Sequence, residues 1–300
     1  TIHLVFLPAH VRLLAVFLSK EVKIERSYKI YNINITIIII MYAVIQIFVH
    51  DNAFFGLFPT IFKGATWAAY VHSSLALLYP TTITLFQLLV AANQATAVMF
   101  PFSHKEIWRY KHVIGCCITA WLIGLASITP VLVAGANANE IVALQRSDYY
   151  VEFKTVIFSI GSIEDAPLIS TIYLIGCIIM QCCIAIAYIA IIASVGRSAK
   201  AGLTSVKRTL PKGTRRNIEA AASISAGSWI ICFALLIRIL YYGQLTEFRH
   251  FYQSLRDSRY VGNDSFFSFA CAIFYALPPF VMVILFGKIR NTFCGRYPTE

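Results

Sequence analysis

The chain has 300 residues, of which 58% are hydrophobic and 13% are charged, and its formal net charge is +11. Soluble domains contain about half apolar and about a quarter charged residues, so this composition excludes an ordinary cytosolic globule. A mean hydropathy of +0.70 also excludes disordered, collagen-like and small disulfide-stapled secreted proteins. The fold class that remains is an all-α membrane protein.

Seven segments have the length and apolar character of transmembrane helices, each of which needs about 20 residues to cross the bilayer. They cover approximately residues 2–18, 30–49, 67–99, 113–133, 167–195, 218–240 and 266–286. We therefore predict one domain over residues 1–300, a bundle of seven transmembrane helices. The first segment is short and polar, so we expect it to be the inner half of a span whose outer half precedes Thr1. The third is longer than one crossing needs and is expected to extend beyond the bilayer.

Lys and Arg are unevenly distributed between the two sides of this seven-span arrangement. Of the 25, 17 lie in residues 19–29, 100–112, 196–217 and 287–300, six lie in the opposite loops, and two lie within spans. The positive-inside rule places the richer side in the cytoplasm, which makes the N-terminus extracellular and the C-terminus cytoplasmic. The basic residues are spread over four segments beside an anionic leaflet rather than gathered on one groove, so the predicted partner is membrane lipid and not nucleic acid.

Seven of the eight cysteines lie in or at the edges of spans, so we expect no extracellular disulfide, and their spacing matches no structural zinc site. Cys294 follows the last span beside Phe286, Ile289 and Phe293. It is either palmitoylated on a short amphipathic helix or an unmodified thiol. Asn263, in Asn-Asp-Ser, is a possible glycosylation site in an outer loop.

The chain contains no H-E-x-x-H, G-x-S-x-G, phosphate-loop or G-x-G-x-x-G motif, so we predict neither an enzyme nor a cofactor or metal site. No Asp or Glu lies at a span centre, which argues against a proton- or sodium-coupled transporter. Other polar residues within the spans are expected mostly to hydrogen-bond between helices. They are Asn32, Asn34, Gln46, Gln87, Asn93, Gln181, Tyr79, Tyr173 and Tyr275.

Arg238 lies within the sixth predicted span, near its outer end. A guanidinium at the centre of a transmembrane helix costs about 2.5–3.5 kcal/mol on insertion scales. Two interpretations are open. The side chain either extends to the interface beside Tyr241 and Tyr242, or it anchors an anionic ligand or pairs with Glu247 or Asp264.

Prolines interrupt three of the predicted spans. Pro80, Pro130 and the pair Pro278-Pro279 fall inside the third, fourth and seventh, where each removes a backbone hydrogen bond. We expect bent helices there, with neighbouring side chains satisfying the freed carbonyls.

The most specific motif lies at the inner end of the third predicted span. The segment reads Ala92-Asn93-Gln94-Ala95-Thr96-Ala97-Val98-Met99-Phe100-Pro101, followed by His104-Lys105-Glu106-Ile107-Trp108. It resembles the N-R-x-x-x-x-x-x-P and I-W signature of nematode serpentine chemoreceptors, class gamma or the related class V. Agreement elsewhere, at Leu7-Pro8, Arg26-Ser27-Tyr28, Arg215-Arg216 with Glu219, and Pro278-Pro279, extends the resemblance over essentially the whole chain.

The resemblance implies a G-protein-coupled-type sensory receptor in the plasma or ciliary membrane of sensory neurons. Its partners would be a small external molecule and a heterotrimeric G protein. The implied ligand-binding residues, among the outer halves of the spans, are His72, Tyr79, Tyr173, Arg238 and Tyr275. The implied G-protein-facing residues are Asn93, Gln94, Trp108, Arg215 and Arg216.

One position departs from the family pattern, because Gln94 stands where the family usually has Arg. A neutral amide cannot pair with an acid in the way that a guanidinium does, so a receptor relative that does not signal is one alternative. The other alternative is a ligand-gated channel or small transporter built from the same seven spans.

Overall fold

The computed structural model describes residues 2–19, 25–51, 66–144, 152–160 and 166–200, together with positions 281 and 284. This part of the chain is mainly helical. Its helices are α1 (Ile2–Leu18), α2 (Arg26–Ile45), α3 (Thr66–Met99), α4 (Pro101–Ile107), α5 (Tyr110–Ala126), α6 (Thr129–Ala134) and α7 (Ala166–Lys200). A π-helical turn, Gln46–Asp51, extends α2, and two strands, β1 (Ala136–Leu144) and β2 (Glu152–Ile160), lie between α6 and α7.

Three helical segments are long and apolar enough to cross a membrane, namely Arg26–Val49, Thr66–Met99 and Tyr110–Val133. They coincide with the second, third and fourth predicted spans and confirm these as membrane-length apolar segments. Two shorter apolar stretches, Leu4–Leu18 and Ile175–Ile191, fall in the first and fifth. The sixth and seventh lie outside the described residues except for two helical positions, so the count of seven and the orientation stay predictions.

The two faces of α7 differ in exposure but are both largely apolar. One face is buried in the bundle and repeats every three or four residues: Cys177, Gln181, Ile184, Tyr188 and Ile191. The opposite face exposes Ile172, Ile175, Ile179, Ile186 and Ile189. A helix that is apolar all round is typical of a protein core or a membrane.

Helix α3 is the central element, because it contacts α2, α5, α7 and both strands. Aromatic rings fill two of these contacts, with the Phe86 ring centroid 6.4 Å from that of Tyr31 on α2 and 6.4 Å from that of Trp121 on α5. A Cβ added at Gly124 would overlap the Thr82 hydroxyl, so glycine allows α5 to approach α3 closely.

Of the predicted proline bends, those at Pro80 and Pro130 fall in the described residues, and Pro278-Pro279 lies outside them. A bend of α3 at Pro80 stays a prediction. Helix α3 continues through Pro80 without interruption. The fourth predicted span is two helices rather than one bent helix, because α5 ends at Ala126 and Pro130 lies in the first turn of α6. Proline is favoured there because the first turn of a helix leaves its N–H groups unpaired anyway.

The loop before α7 contains strands that the all-α prediction did not include. Strands β1 and β2 pair antiparallel, from Ala136 opposite Ile160 to Leu144 opposite Glu152, and contact α3. Gly135, with φ of 80°, links α6 to β1 in a conformation that favours glycine. The all-α prediction therefore holds for the bundle and is wrong for this loop.

Candidate functional site

The residues of the chemoreceptor-like motif meet in one hydrogen-bonded cluster at the end of α3. The cluster, called the inner clasp below, consists of Glu25, Ser27, Asn93, Thr96, His104 and Trp108. Asn93 Nδ2 donates to Ser27 Oγ at 3.2 Å, joining α3 to α2. Ser27 Oγ in turn donates to Glu25 Oε1 at 2.6 Å.

Thr96 connects α4 to this cluster. Trp108 Nε1 donates to Thr96 Oγ1 at 2.6 Å, and His104 Nδ1 lies 3.2 Å from the same hydroxyl. The edge of the Trp108 ring meets Tyr31 on α2, with centroids 6.0 Å apart and planes at 84°. Helix α4 and the turn after it are thereby fixed on both α2 and α3.

A contact between His104 Nε2 and Glu25 Oε1, 3.1 Å apart, closes the inner clasp, and it is an ion pair when His104 is protonated. An ionised carboxylate only accepts hydrogen bonds, so Nε2 carries the hydrogen of this contact. The histidine side chain is 13% exposed and the carboxylate 44% exposed. Exposed ion pairs contribute about 0–1 kcal/mol, so this pair mainly orients α4.

The three consecutive residues at the start of α2, Glu25, Arg26 and Ser27, contact three different helices. Glu25 pairs with α4 and Ser27 with α3, as described above. Between them, the Arg26 guanidinium carbon lies 4.1 Å from the centre of the Tyr110 ring at the start of α5. Lys29 Nζ also donates to the Ser19 carbonyl at 2.8 Å, tying down the end of α1.

The inner clasp presents an exposed apolar surface on α4. The α4 surface, as defined here, consists of Phe100, Phe102, Lys105 and Ile107. The Phe102 side chain is 89% exposed, and the Phe100 and Ile107 side chains are also exposed. Exposed apolar side chains can mark protein interaction sites.

Three of the residues predicted to face a G protein, Asn93, Gln94 and Trp108, lie in the described part of the chain. Asn93 and Gln94 are buried, and Trp108 is partly buried against the core. Arg215 and Arg216 lie outside the described residues. Because both amide side chains are buried, they could affect G-protein coupling only by changing how the helices pack. Their role in coupling stays a prediction.

A second polar cluster lies at the opposite ends of α2 and α3. The rings of Tyr42 and Tyr79 have centroids 4.6 Å apart, and Gln46 Nε2 donates to the Tyr42 hydroxyl. His72 is partly buried and precedes Tyr79 by two helical turns on the same face of α3. These four residues, Tyr42, Gln46, His72 and Tyr79, are called the outer polar cluster. The π-helical turn begins at Gln46, and such turns occur frequently at functional sites.

The other predicted ligand residues are not placed here. Tyr173 belongs to α7, but its side chain is outside the described part of the structure. Arg238 and Tyr275, together with the possible modification sites Asn263 and Cys294, lie outside the described residues.

The expectation that buried amides bond between helices holds for some and not for others. Asn34 accepts a hydrogen bond from Trp121 Nε1 at 3.0 Å, and Asn93 bonds Ser27 as above. Asn32 instead donates to the Tyr28 carbonyl of its own helix at 2.8 Å. Within the described residues, neither polar atom of the Gln87 side chain has a hydrogen-bond partner.

Sequence reasoning missed several members of these clusters. Glu25, Phe102 and Tyr42 were not predicted as site residues, and His104 was noted only as part of the motif. A signal for Glu25 was present, because a lone acid directly precedes Arg26-Ser27 at the entrance of an apolar helix. No comparable signal marks Tyr42. Among the described residues, no group of three His, Cys, Asp or Glu side chains could hold a metal ion.

Comparison with known proteins adds no relative, since no family model and no curated protein matches the chain. The functional argument therefore depends on the residues and their geometry.

Proposed function

We propose that the chain is a chemosensory receptor of the G-protein-coupled type, similar to the nematode serpentine receptors. In this proposal a small external molecule binds at the outer polar cluster, and a heterotrimeric G protein docks on the α4 surface. The setting is the plasma or ciliary membrane of a sensory neuron. The observation that carries the proposal is Phe102, an almost fully exposed aromatic side chain on a helix that the inner clasp holds rigidly.

The α4 surface has the properties of a docking site for a protein. Aromatic anchors contribute most to binding when they are held in place before the partner arrives, because little conformational entropy is then lost. Lys105 adds a positive charge beside Phe102. The matching partner surface is an apolar pocket with an acidic rim.

The two clusters are suited to communicate, because both are built from the same pair of helices. Tyr42, near the end of α2, meets Tyr79 in the first half of α3, and Ser27, near the start of α2, meets Asn93 near the end of α3. Tyr79 and Asn93 are roughly 21 Å apart along α3 at 1.5 Å per residue. A ligand that binds one packing of these helices better than another would therefore change the inner clasp as well.

The test is a Phe102→Ala variant in cells that report G-protein activity, screened with a panel of small volatile and soluble compounds. We expect activation to fall by about tenfold or more, because truncating an interface anchor typically costs over 1.4 kcal/mol. Leu122→Ala is the matched control, since Leu122 is also exposed but lies on the apolar span α5. Equal activation by Phe102→Ala at equal surface expression would refute the proposed docking site.

A second candidate is a receptor relative that does not signal, and Gln94 is the residue that favours it. Gln94→Arg restores the side chain that the resemblance implies. Activation that appears only in Gln94→Arg would support this candidate, whereas activation of the natural chain would exclude it. For the channel alternative, a glycosylation tag fused at Thr1 tests the predicted outer N-terminus.

A further inference from the structure

Gln87 is a buried amide in α3 for which the described part of the chain provides no hydrogen-bond partner. Its side chain is 3% exposed, and within the described residues neither Nε2 nor Oε1 has a hydrogen bond. A carboxamide offers two donor hydrogens and one acceptor oxygen. Burying these groups unpaired costs their full desolvation free energy, so Gln87 does not act as an interhelical contact that stabilises this packing.

Small side chains lie on the same face of α3 as Gln87. Thr84 and Ala91 lie one turn before and one turn after it on the same face of α3, and both are buried. Helix α7 packs against α3 and contributes a second buried amide, Gln181, which is 1% exposed. Its Oε1 atom also has no partner among the described residues. Both packed helices therefore carry an unpaired amide oxygen in the interior of the bundle.

We infer that Gln87 is the deep polar contact of the ligand, an inference that rests on the proposed receptor function. The ligand class is a small molecule that presents a hydrogen-bond donor and an acceptor side by side, such as an amide, a carboxylic acid or an N–H heteroaromatic ring. Such a group forms two parallel hydrogen bonds with a carboxamide. It does so whichever way the oxygen and nitrogen of Gln87 are assigned, because the ligand group can turn over to match.

The unpaired state of Gln87 supplies the energetic preference that a receptor needs. In the packing described here the carboxamide is unsatisfied, and a ligand that reaches it gains hydrogen bonds that this packing lacks. The ligand then favours a packing in which α3 admits it, which is the differential affinity that shifts a population. Gln87 lies roughly 12 Å along α3 from Tyr79, a depth that suits a small molecule entering through the outer polar cluster.

The experiment measures thermal unfolding of the purified full chain in detergent, first without added compound. We expect Gln87→Leu to raise the unfolding temperature by about 2–6 °C, because it removes an unpaired polar group at similar volume. Asn34→Leu is the matched control, and it should lower the unfolding temperature because the Trp121 indole loses its acceptor. A lower unfolding temperature for Gln87→Leu would show that the amide has a structural partner and would overturn the inference.

The second arm adds hexanamide, which has adjacent donor and acceptor groups, or 2-heptanone, which only accepts. We expect hexanamide to stabilise the natural chain more than 2-heptanone does, and Gln87→Leu to abolish that difference. Equal effects of the two compounds, or the same preference in Gln87→Leu, would overturn the inference and leave internal water as the occupant. This readout does not involve a G protein. A preserved hexanamide preference alongside a failed Phe102 experiment would therefore refute only the proposed signalling.

Discussion

The end of α3 near Asn93 and its middle differ in how far their buried amides are paired. Asn93 Nδ2 donates to Ser27 on α2, although Asn93 Oδ1 has no partner within the described residues, and Thr96 one turn later accepts a hydrogen bond from Trp108. Gln87, less than two turns before Asn93, has no hydrogen bond at either polar atom within the described residues. A polar network that joins helices fixes one arrangement of them, whereas a carboxamide without any hydrogen bond can be satisfied by another molecule. In a receptor, a fixed arrangement of helices is useful where a partner protein binds, and a carboxamide without a hydrogen bond is useful where a ligand binds.

The largest expected effect comes from forcing α5 away from α3 at Thr82, which lies between one and two helical turns before Gln87. Gly124→Val places a side chain into the Thr82 hydroxyl, and overpacking of this kind costs about 1–3 kcal/mol or more. We expect a fall of several degrees in the unfolding temperature and a lower yield of monodisperse protein.

Gly115→Val is the control for that variant, because an added Cβ at Gly115 meets nothing within 4 Å. Both substitutions put the same β-branched residue into α5 in place of a glycine. Equal destabilisation by the two would show that the close approach of the helices is unimportant.

Asn93→Leu sharpens the comparison, because its effect should have the opposite sign to that of Gln87→Leu. The variant removes the Asn93 donor of the Ser27 bond, which contributes about 1 kcal/mol, and should lower the unfolding temperature by roughly 2–4 °C. Hydrogen exchange in the first turn of α2 should become faster. Stabilisation by Asn93→Leu would mean that the two amides do not differ.

Trp108→Phe tests the bond that holds α4. The phenyl ring keeps the contact with Tyr31 but loses the indole donor to Thr96, at a cost of about 0.5–1.5 kcal/mol. Exchange of amides in residues 101–108 should accelerate. Trp121→Phe loses its bond to Asn34 instead, so it should leave α4 unchanged, and acceleration in both variants would argue against a local effect.

The smallest effect is expected from the ion pair of the inner clasp. Glu25→Gln removes the anionic partner of His104, and a pair of this exposure contributes about 0.2–1 kcal/mol. Amide exchange in α4 should increase slightly, and added salt should reduce the difference from the natural chain. Glu106→Gln removes a carboxylate from α4 itself that pairs only loosely with Arg109, at 3.9 Å, and should change little.

The sequence alone was sufficient to predict the helices that depend on local composition. The second, third and fourth predicted spans appear as apolar helices because each is a stretch of 20 or more mostly apolar residues, a property that needs no knowledge of neighbours. The break at Ala126 and the strands after Gly135 were missed. Both features involve short segments. The hydropathy average over a window of about 20 residues does not resolve features of that length.

Partners in the two clusters could not be predicted, because they depend on which helices meet. Asn93 and Gln87 both carry a carboxamide on the same helix. They differ in that Asn93 Nδ2 donates to Ser27, whereas neither polar atom of Gln87 has a hydrogen bond within the described residues. The chemoreceptor-like motif marked Asn93 and Trp108 as important. It gave no indication that both bond to neighbours within the bundle, or that Phe102 is the residue left exposed.

The inner clasp also has a consequence for biogenesis. All of its members, and the Arg26–Tyr110 contact, lie between residues 25 and 110. Translation releases this stretch from the ribosome before any residue of α7, and chains generally fold from the N-terminus during synthesis. The contacts of the inner clasp can therefore form before α7 has been synthesised.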